Sequence, residues 1–92
     1  MDISFDPAKR AATLAHRGLD FADAWQVFTG EVATDLDARH DYGEDRFITA
    51  GTLRERMVVV VWTPRPGARH IISIGTCHDR EESVWRSRMG RS

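Results

Sequence analysis

Arg56-Met57-Val58-Val59-Val60-Val61-Trp62-Thr63, then Pro64-Arg65-Pro66-Gly67, then Ala68-Arg69-His70-Ile71-Ile72-Ser73-Ile74, is the stretch that decides the fold. Both outer runs are rich in β-branched and aromatic residues, which suit a pleated, half-buried surface, and neither approaches the ~18 apolar residues of a membrane helix. The Pro and Gly residues between them break a strand and supply turn geometry. The two runs therefore predict a β-hairpin. Its first arm is apolar without alternation, so it belongs at the centre of a sheet with cover on both faces. The second arm closes at Gly75-Thr76 and gives way to a charged, helix-like tail.

The segments before the hairpin are what cover it. Asp2-Ile3-Ser4-Phe5 alternates as a short strand with Ile3 and Phe5 inward. Asp6-Pro7 starts a helix, with Asp6 as N-cap and Pro7 at the first helical position, and Gly18 stops it. Ala8, Ala11, Ala12, Leu14 and Ala15 are expected to face the core. A second helix is expected after the N-cap Asp20, with Phe21, Ala24, Trp25 and Phe28 on its buried face and an end at Thr29-Gly30. Residues 31–37 alternate as an exposed strand would. The polar residues 39–45 form a loop into the strand Arg46–Gly51, and Leu53-Arg54-Glu55 turns the chain into the hairpin. The tail from Cys77 to Met89 reads as a terminal helix, with Thr76 and Asp79 as its capping pair and Glu82 to Arg86 at the favourable i, i+4 spacing. Glu81, Val84, Trp85 and Met89 share one side of that helix. Gly90-Arg91-Ser92 is expected to fray.

Ninety-two residues, 41% hydrophobic and 29% charged, suffice for one small domain, taken here as 1–92. The start lacks the basic segment and apolar core of a signal peptide, and a single cysteine, Cys77, permits no internal disulfide, so a cytoplasmic setting is expected. The net charge of −1 hides a dipole. Residues 1–45 carry ten Asp/Glu against four Lys/Arg, or −6; residues 46–92 carry four against nine, or +5. Twelve of the thirteen cations are Arg, whose planar fork suits bidentate recognition of phosphate or carboxylate. An Arg-rich half fits a nucleic-acid substrate or an acidic protein partner.

Most catalytic constellations are missing from the pattern. Cys77-His78, as helix neighbours, point about 100° apart and make a poor nucleophile–base pair. His16, His40, His70 and His78 include no i, i+4 pair for a metal, so neither metal nor cofactor is expected. There is no phosphate-binding glycine loop and no nucleophile elbow. What remains is cations able to grip a phosphodiester and stabilise the charge of its transition state.

Phe5-Asp6-Pro7-Ala8-Lys9, Gly18-Leu19-Asp20-Phe21-Ala22-Asp23-Ala24 and Val27-Phe28 resemble the opening of the BrnT toxins. Asp41-Tyr42-Gly43-Glu44-Asp45-Arg46-Phe47, the valine strand ending Thr63-Pro64-Arg65, and Arg69-His70-Ile71-Ile72-Ser73 resemble that family's later blocks in the same order. The resemblance implies an α+β, RelE-like compact domain: a twisted antiparallel sheet with two N-terminal helices packed on it and a C-terminal helix. It implies a metal-independent endoribonuclease toxin of a type II toxin–antitoxin pair, which cleaves RNA to arrest translation. Its implied partner is a BrnA-type antitoxin in a heterotetramer, with operator DNA engaged only through the antitoxin. By position it points to Lys9, Arg65 and Arg80 as catalytic; His78 joins them as a candidate acid or base because imidazoles titrate near neutral pH. Arg46, Arg69 and Arg86 are the accompanying RNA-binding residues. Two departures from the family pattern stand out. Gly75-Thr76 replace an Arg-Lys pair, and His16-Arg17 replace Lys-His. They allow either an attenuated toxin or a catalytically silent antitoxin-binding module acting in operon autoregulation.

Overall fold

The computed structural model describes residues 2–89, so the expected fraying of Gly90-Arg91-Ser92 lies outside the described residues. The elements are β1 (Asp2–Phe5), α1 (Pro7–Arg17), a 3₁₀ turn (Phe21–Asp23), α2 (Ala24–Phe28), β2 (Ala33–Leu36), β3 (Phe47–Leu53), β4 (Arg56–Arg65), β5 (Ala68–Thr76) and α3 (Asp79–Arg88). The chain is α+β, and the hairpin of β4 and β5 lies inside a five-stranded sheet ordered β1-β5-β4-β3-β2. The expected all-antiparallel sheet is corrected in one place: β1 runs parallel to β5, with Asp2 opposite Ala68 and Phe5 opposite Ile71. A tight turn would impose antiparallel pairing. Here the whole α1-to-β4 segment intervenes, a crossover long enough for a parallel neighbour.

Two turns frame β4. Pro66 and Gly67 occupy the tip between β4 and β5, with Gly67 at φ +72°, the positive value that the second central position of a type II turn requires. Pro64 is inside β4 rather than in the turn, opposite Arg69. At the other end Arg54 and Glu55 make a two-residue turn with φ of 51° and 69°, a conformation in which glycine and asparagine fit better than arginine and glutamate.

The core lies on one face of the sheet. Phe21, Ala24 and Val27 pack against Leu53, Val58, Val60, Ile71 and Ile74, with Ile3, Phe5 and Phe28 at the margin. A Cβ at Gly51 would meet Val27 Cγ1 at 2.7 Å, so the bare glycine is what lets α2 seat directly on β3. The buried face of this segment is Phe21, Ala24 and Val27, while Trp25 is 54% exposed. Its first turn is 3₁₀, which advances three residues per turn and selects the i, i+3, i+6 series.

α1 is inverted relative to expectation. Ala8, Ala11, Ala12, Leu14 and Ala15 all face solvent, and the half-buried positions of the helix are Arg10 and Thr13. Arg10, Thr13 and Arg17 recur at i, i+3, i+7 on the opposite side. Arg10 lies 5.5 Å over the Phe5 ring and pairs bidentately with Asp20 at 2.7 and 3.0 Å. Arg17 Nη1 donates to the Ile74 carbonyl at 2.9 Å, where β5 has run beyond the end of β1. The caps Asp6 and Gly18 are as expected. α3 is capped by His78, whose Nδ1 accepts from the Glu81 amide at 3.3 Å, rather than by Thr76. The Glu82–Arg86 pair forms at 3.5 Å, and Val84, expected on the apolar side, is 57% exposed.

Candidate functional site

Strand alternation divides the sheet's side chains between two faces. Trp62, Val60 and Val58 point with Arg69, Ile71 and Ile74 toward the 3₁₀ turn and α2; Val59, Val61, Thr63 and Arg65 point with His70, Ser73 and Gly75 to the second face. The second face is partly covered by α3, whose Arg88 pairs with Asp35 of β2; Ala50, Met57 and Thr63 are buried there, and Val59, Val61, His70 and Ser73 are half-buried. Two polar groups stand at its opposite ends.

The first group lies at the tip of the β4–β5 hairpin and is built by the loop between β2 and β3. Asp37, nearly inaccessible, anchors that loop by accepting from Arg39 Nε and Nη2 at 2.8 Å each, from the Arg39 amide at 3.2 Å and from Tyr42 Oη at 3.4 Å. Led by the Arg39 hydrogen bonds, these contacts hold its carboxyl at about 2. The Arg46 guanidinium stacks 3.9 Å from the Tyr42 ring centroid, and Thr63 Oγ1 donates to the Asp45 carbonyl at 2.6 Å. Glu44 stands between two cations: it accepts from Arg65 Nη1 at 2.7 Å and approaches Arg46 Nε at 3.9 Å. The Arg65 hydrogen bond holds the Glu44 carboxyl below the usual carboxylate range. The loop, with Leu36, Asp37, His40, Tyr42 and Arg46, encloses a cleft of about 320 Å³. Beside it His70 Nδ1 and Ser4 Oγ are 2.9 Å apart, a contact that orients the imidazole.

The second group lies where β5 ends and α3 begins. A Cβ at Gly75 would sit 3.3 Å from Arg17 Nη1 and meet nothing else within 4 Å. His78 and Arg80 follow in the exposed chain. Asp79, Glu81 and Glu82 fill the first turn of α3, so the helix terminus that would attract an anion is already offset by carboxylates. Burial, together with Glu81 and Glu82, pushes the Cys77 thiol up to about 11, which makes it a poor nucleophile.

The residues proposed from sequence therefore do not converge. Arg65 pairs with Ala68 at one end of β5, and His78 and Arg80 follow Thr76 at the other, about 26 Å away at the rise of a strand. One phosphate cannot touch both. Lys9 lies in the exposed first turn of α1, and its side chain makes no ion pair among the described residues. Arg86 is taken by Glu82 on the surface of α3. Arg69 is on the side facing α2, stacked over Phe28 and Trp62. Arg46 and Arg65 are brought together across strands by Glu44, while His78 and Arg80 are neighbours only through the chain at the start of α3. His70 with Ser4 was missed because the contact spans 66 residues and leaves no local spacing; alternation along β1 and β5 would have shown it once the two strands were paired. No group of three or more His, Cys, Asp or Glu among the described residues is arranged to hold a metal ion.

The Arg46–Glu44–Arg65 cluster gives one end of the sheet a net positive charge, which suits an anionic ligand. The family model described as ribonuclease toxin, BrnT, of type II toxin-antitoxin system matches residues 5–81, and the chain is a member of the BrnT family. The family is one of ribonuclease toxins, and a type II toxin implies an antitoxin partner. No curated protein matches the chain. No helix among the described residues is long and apolar enough to cross a membrane.

Proposed function

We propose that the chain is a cytoplasmic, metal-independent endoribonuclease toxin, a single RelE-like domain over 1–92, which cleaves RNA to arrest translation. The observation that carries this reading is the Arg46–Glu44–Arg65 cluster beside an oriented His70 on the second sheet face of a BrnT-family chain. Arg65 and Arg46 bind the scissile phosphodiester. Glu44 sets their spacing and leaves the trio at net +1. With Nδ1–H donating to Ser4, His70 Nε2 takes the 2′-hydroxyl proton as the 2′-oxygen bonds to phosphorus. The two guanidinium groups stabilise charge on the phosphorane, and the P–O5′ bond breaks with water protonating the leaving 5′-oxygen, which leaves a 2′,3′-cyclic phosphate. Tyr42, already stacked with Arg46, offers a surface for a flanking base. Lys9, His78 and Arg80 act as outlying RNA contacts. A BrnA-type antitoxin covers the toxin in a heterotetramer and carries it to operator DNA.

Gly75 favours a second reading, an attenuated toxin or silent antitoxin-binding module. A Cβ at 75 lies 3.3 Å from Arg17 Nη1, which donates to the Ile74 carbonyl, so an arginine there must shift Arg17 and brings a second cation beside it. Growth and RNA integrity after induction of the chain, beside the Gly75→Arg variant, decide between the two. Arrest with the unmodified chain is expected; arrest only with the variant would make the chain an antitoxin-binding module.

A further inference from the structure

α2 is only five residues long and leaves one end of the sheet surface beneath it open. Leu36 pairs with Phe47, and Phe47 with Trp62, so three neighbouring strands place these side chains in one row. The Phe47 and Trp62 ring centroids are 5.1 Å apart, and Phe28 meets Trp62 edge to face at 5.6 Å. Trp25 lies one turn before Phe28 on α2. Leu36 is 56% and Trp25 54% exposed. Arg69 ends the row with its guanidinium 4.1 Å from the Phe28 centroid and 5.2 Å from that of Trp62. Its Nε is buried without an acceptor, and no carboxylate among the described residues pairs with it.

We propose that this strip is the docking surface for an antitoxin segment that presents a carboxylate to Arg69 and apolar side chains to Trp25, Leu36 and Trp62. The proposal rests on the reading that the chain has an antitoxin partner and names where that partner sits. Tryptophan, phenylalanine and arginine are the residues that dominate the buried centres of protein interfaces. Arg69 has no carboxylate partner among the described residues, and a carboxylate on the docking segment pairs with its outer guanidinium nitrogens. RNA fits less well. A single cation does not track a backbone, and the guanidinium already occupies the ring faces on which bases would stack. Trp62 and Arg69 point to the face opposite Arg65 and His70, while Leu36 also borders the cleft that Arg46 lines, so a segment bound here reaches the edge of that cleft and leaves Arg65 and His70 to another part of the antitoxin.

The test is titration calorimetry of the full chain with the purified antitoxin encoded in the same operon. The variants are Leu36→Ser with Trp25→Ser, Arg69→Gln, and Val84→Ser as an exposed control on α3. The first two are expected to weaken binding at least tenfold and the control to stay within twofold, with thermal melting to verify folding. Should Arg69→Gln fail to fold, the double variant at exposed positions decides alone. Wild-type affinity in that double variant would overturn the proposal. So would loss in it of binding to a labelled 12-nucleotide RNA, or of self-association, with antitoxin affinity intact. If the unmodified chain does not bind the antitoxin at all, the partner reading itself fails, and the strip with it.

Discussion

The two faces of the sheet are made from the same five strands and differ in how their side chains are satisfied. Toward the 3₁₀ turn and α2, Val58, Val60, Ile71 and Ile74 are inaccessible and need only one another, Phe21 and Val27. On the other face, Arg65, Glu44, Arg46, His70 and Ser4 are held by charge and hydrogen bonds near solvent. One face is closed by apolar packing alone, whereas the other joins buried Ala50, Met57 and Thr63 to a polar, more exposed end. Substitutions should fall into two classes accordingly.

The largest effect belongs to the closed face. Ile74→Ala is expected to cost about 2–5 kcal/mol, the usual range for emptying a buried aliphatic site. That is a large share of the roughly 5–15 kcal/mol by which small domains are stable. Urea denaturation reads it, and a loss below ~1 kcal/mol would show that the face repacks freely. Next comes the anchor of the site loop. Asp37→Asn leaves the Arg39 guanidinium without its carboxylate and is expected to cost about 1–3 kcal/mol. The wild type carries the same dependence in its pH profile. Asp37 and Asp20 both sit near 2 when folded, Asp20 chiefly through Arg10, and a carboxyl depressed by folding contributes fully above its unfolded value near 3.8. Stability should therefore fall as pH drops from about 4 toward 2 and stay flat with respect to these groups above it. Flat stability down to pH 2 would contradict the two ion pairs.

The turns sharpen the contrast between good and poor local chemistry. Pro66-Gly67 matches its turn, whereas Arg54 and Glu55 hold positive φ with side chains attached. Arg54→Asn with Glu55→Gly is expected to raise stability by about 1 kcal/mol, net of the exposed Arg54–Asp23 contact at 2.9 Å. The smallest effect is Arg86→Ala, which breaks a surface pair with Glu82 and should change stability by no more than ~0.5 kcal/mol. A larger loss would place Arg86 in an interaction beyond the helix surface.

The hairpin, β1 and the caps of α1 were legible because each is written locally, in β-branched runs, alternation, Asp-Pro and Gly. The inward side of α1 was not. Its alanines form a clean arc, but alanine gains little by burial, and the bidentate Arg10–Asp20 pair over Phe5 turns the opposite side to the domain. Trp25 was misplaced because a 3₁₀ first turn shifts the series by one position. Of the candidate site, Arg46 and Arg65 were legible as cations flanking strands. Glu44 as their clamp and His70 with Ser4 were not, since these contacts depend on which strands become neighbours. The row from Leu36 to Arg69 became visible only with strand register, because its members come from four separate elements.

The most direct measurement is cleavage of a defined RNA by the purified, antitoxin-free chain in excess chelator, alongside Arg65→Ala and His70→Gln with matched thermal melting. Cleavage by the wild type that survives the chelator and falls about 100-fold or more in each variant, with folding intact, is the predicted result. Intact RNA with the wild type, or undiminished cleavage by Arg65→Ala, would contradict the assignment of the face that carries Arg65 and His70 as the site of RNA cleavage.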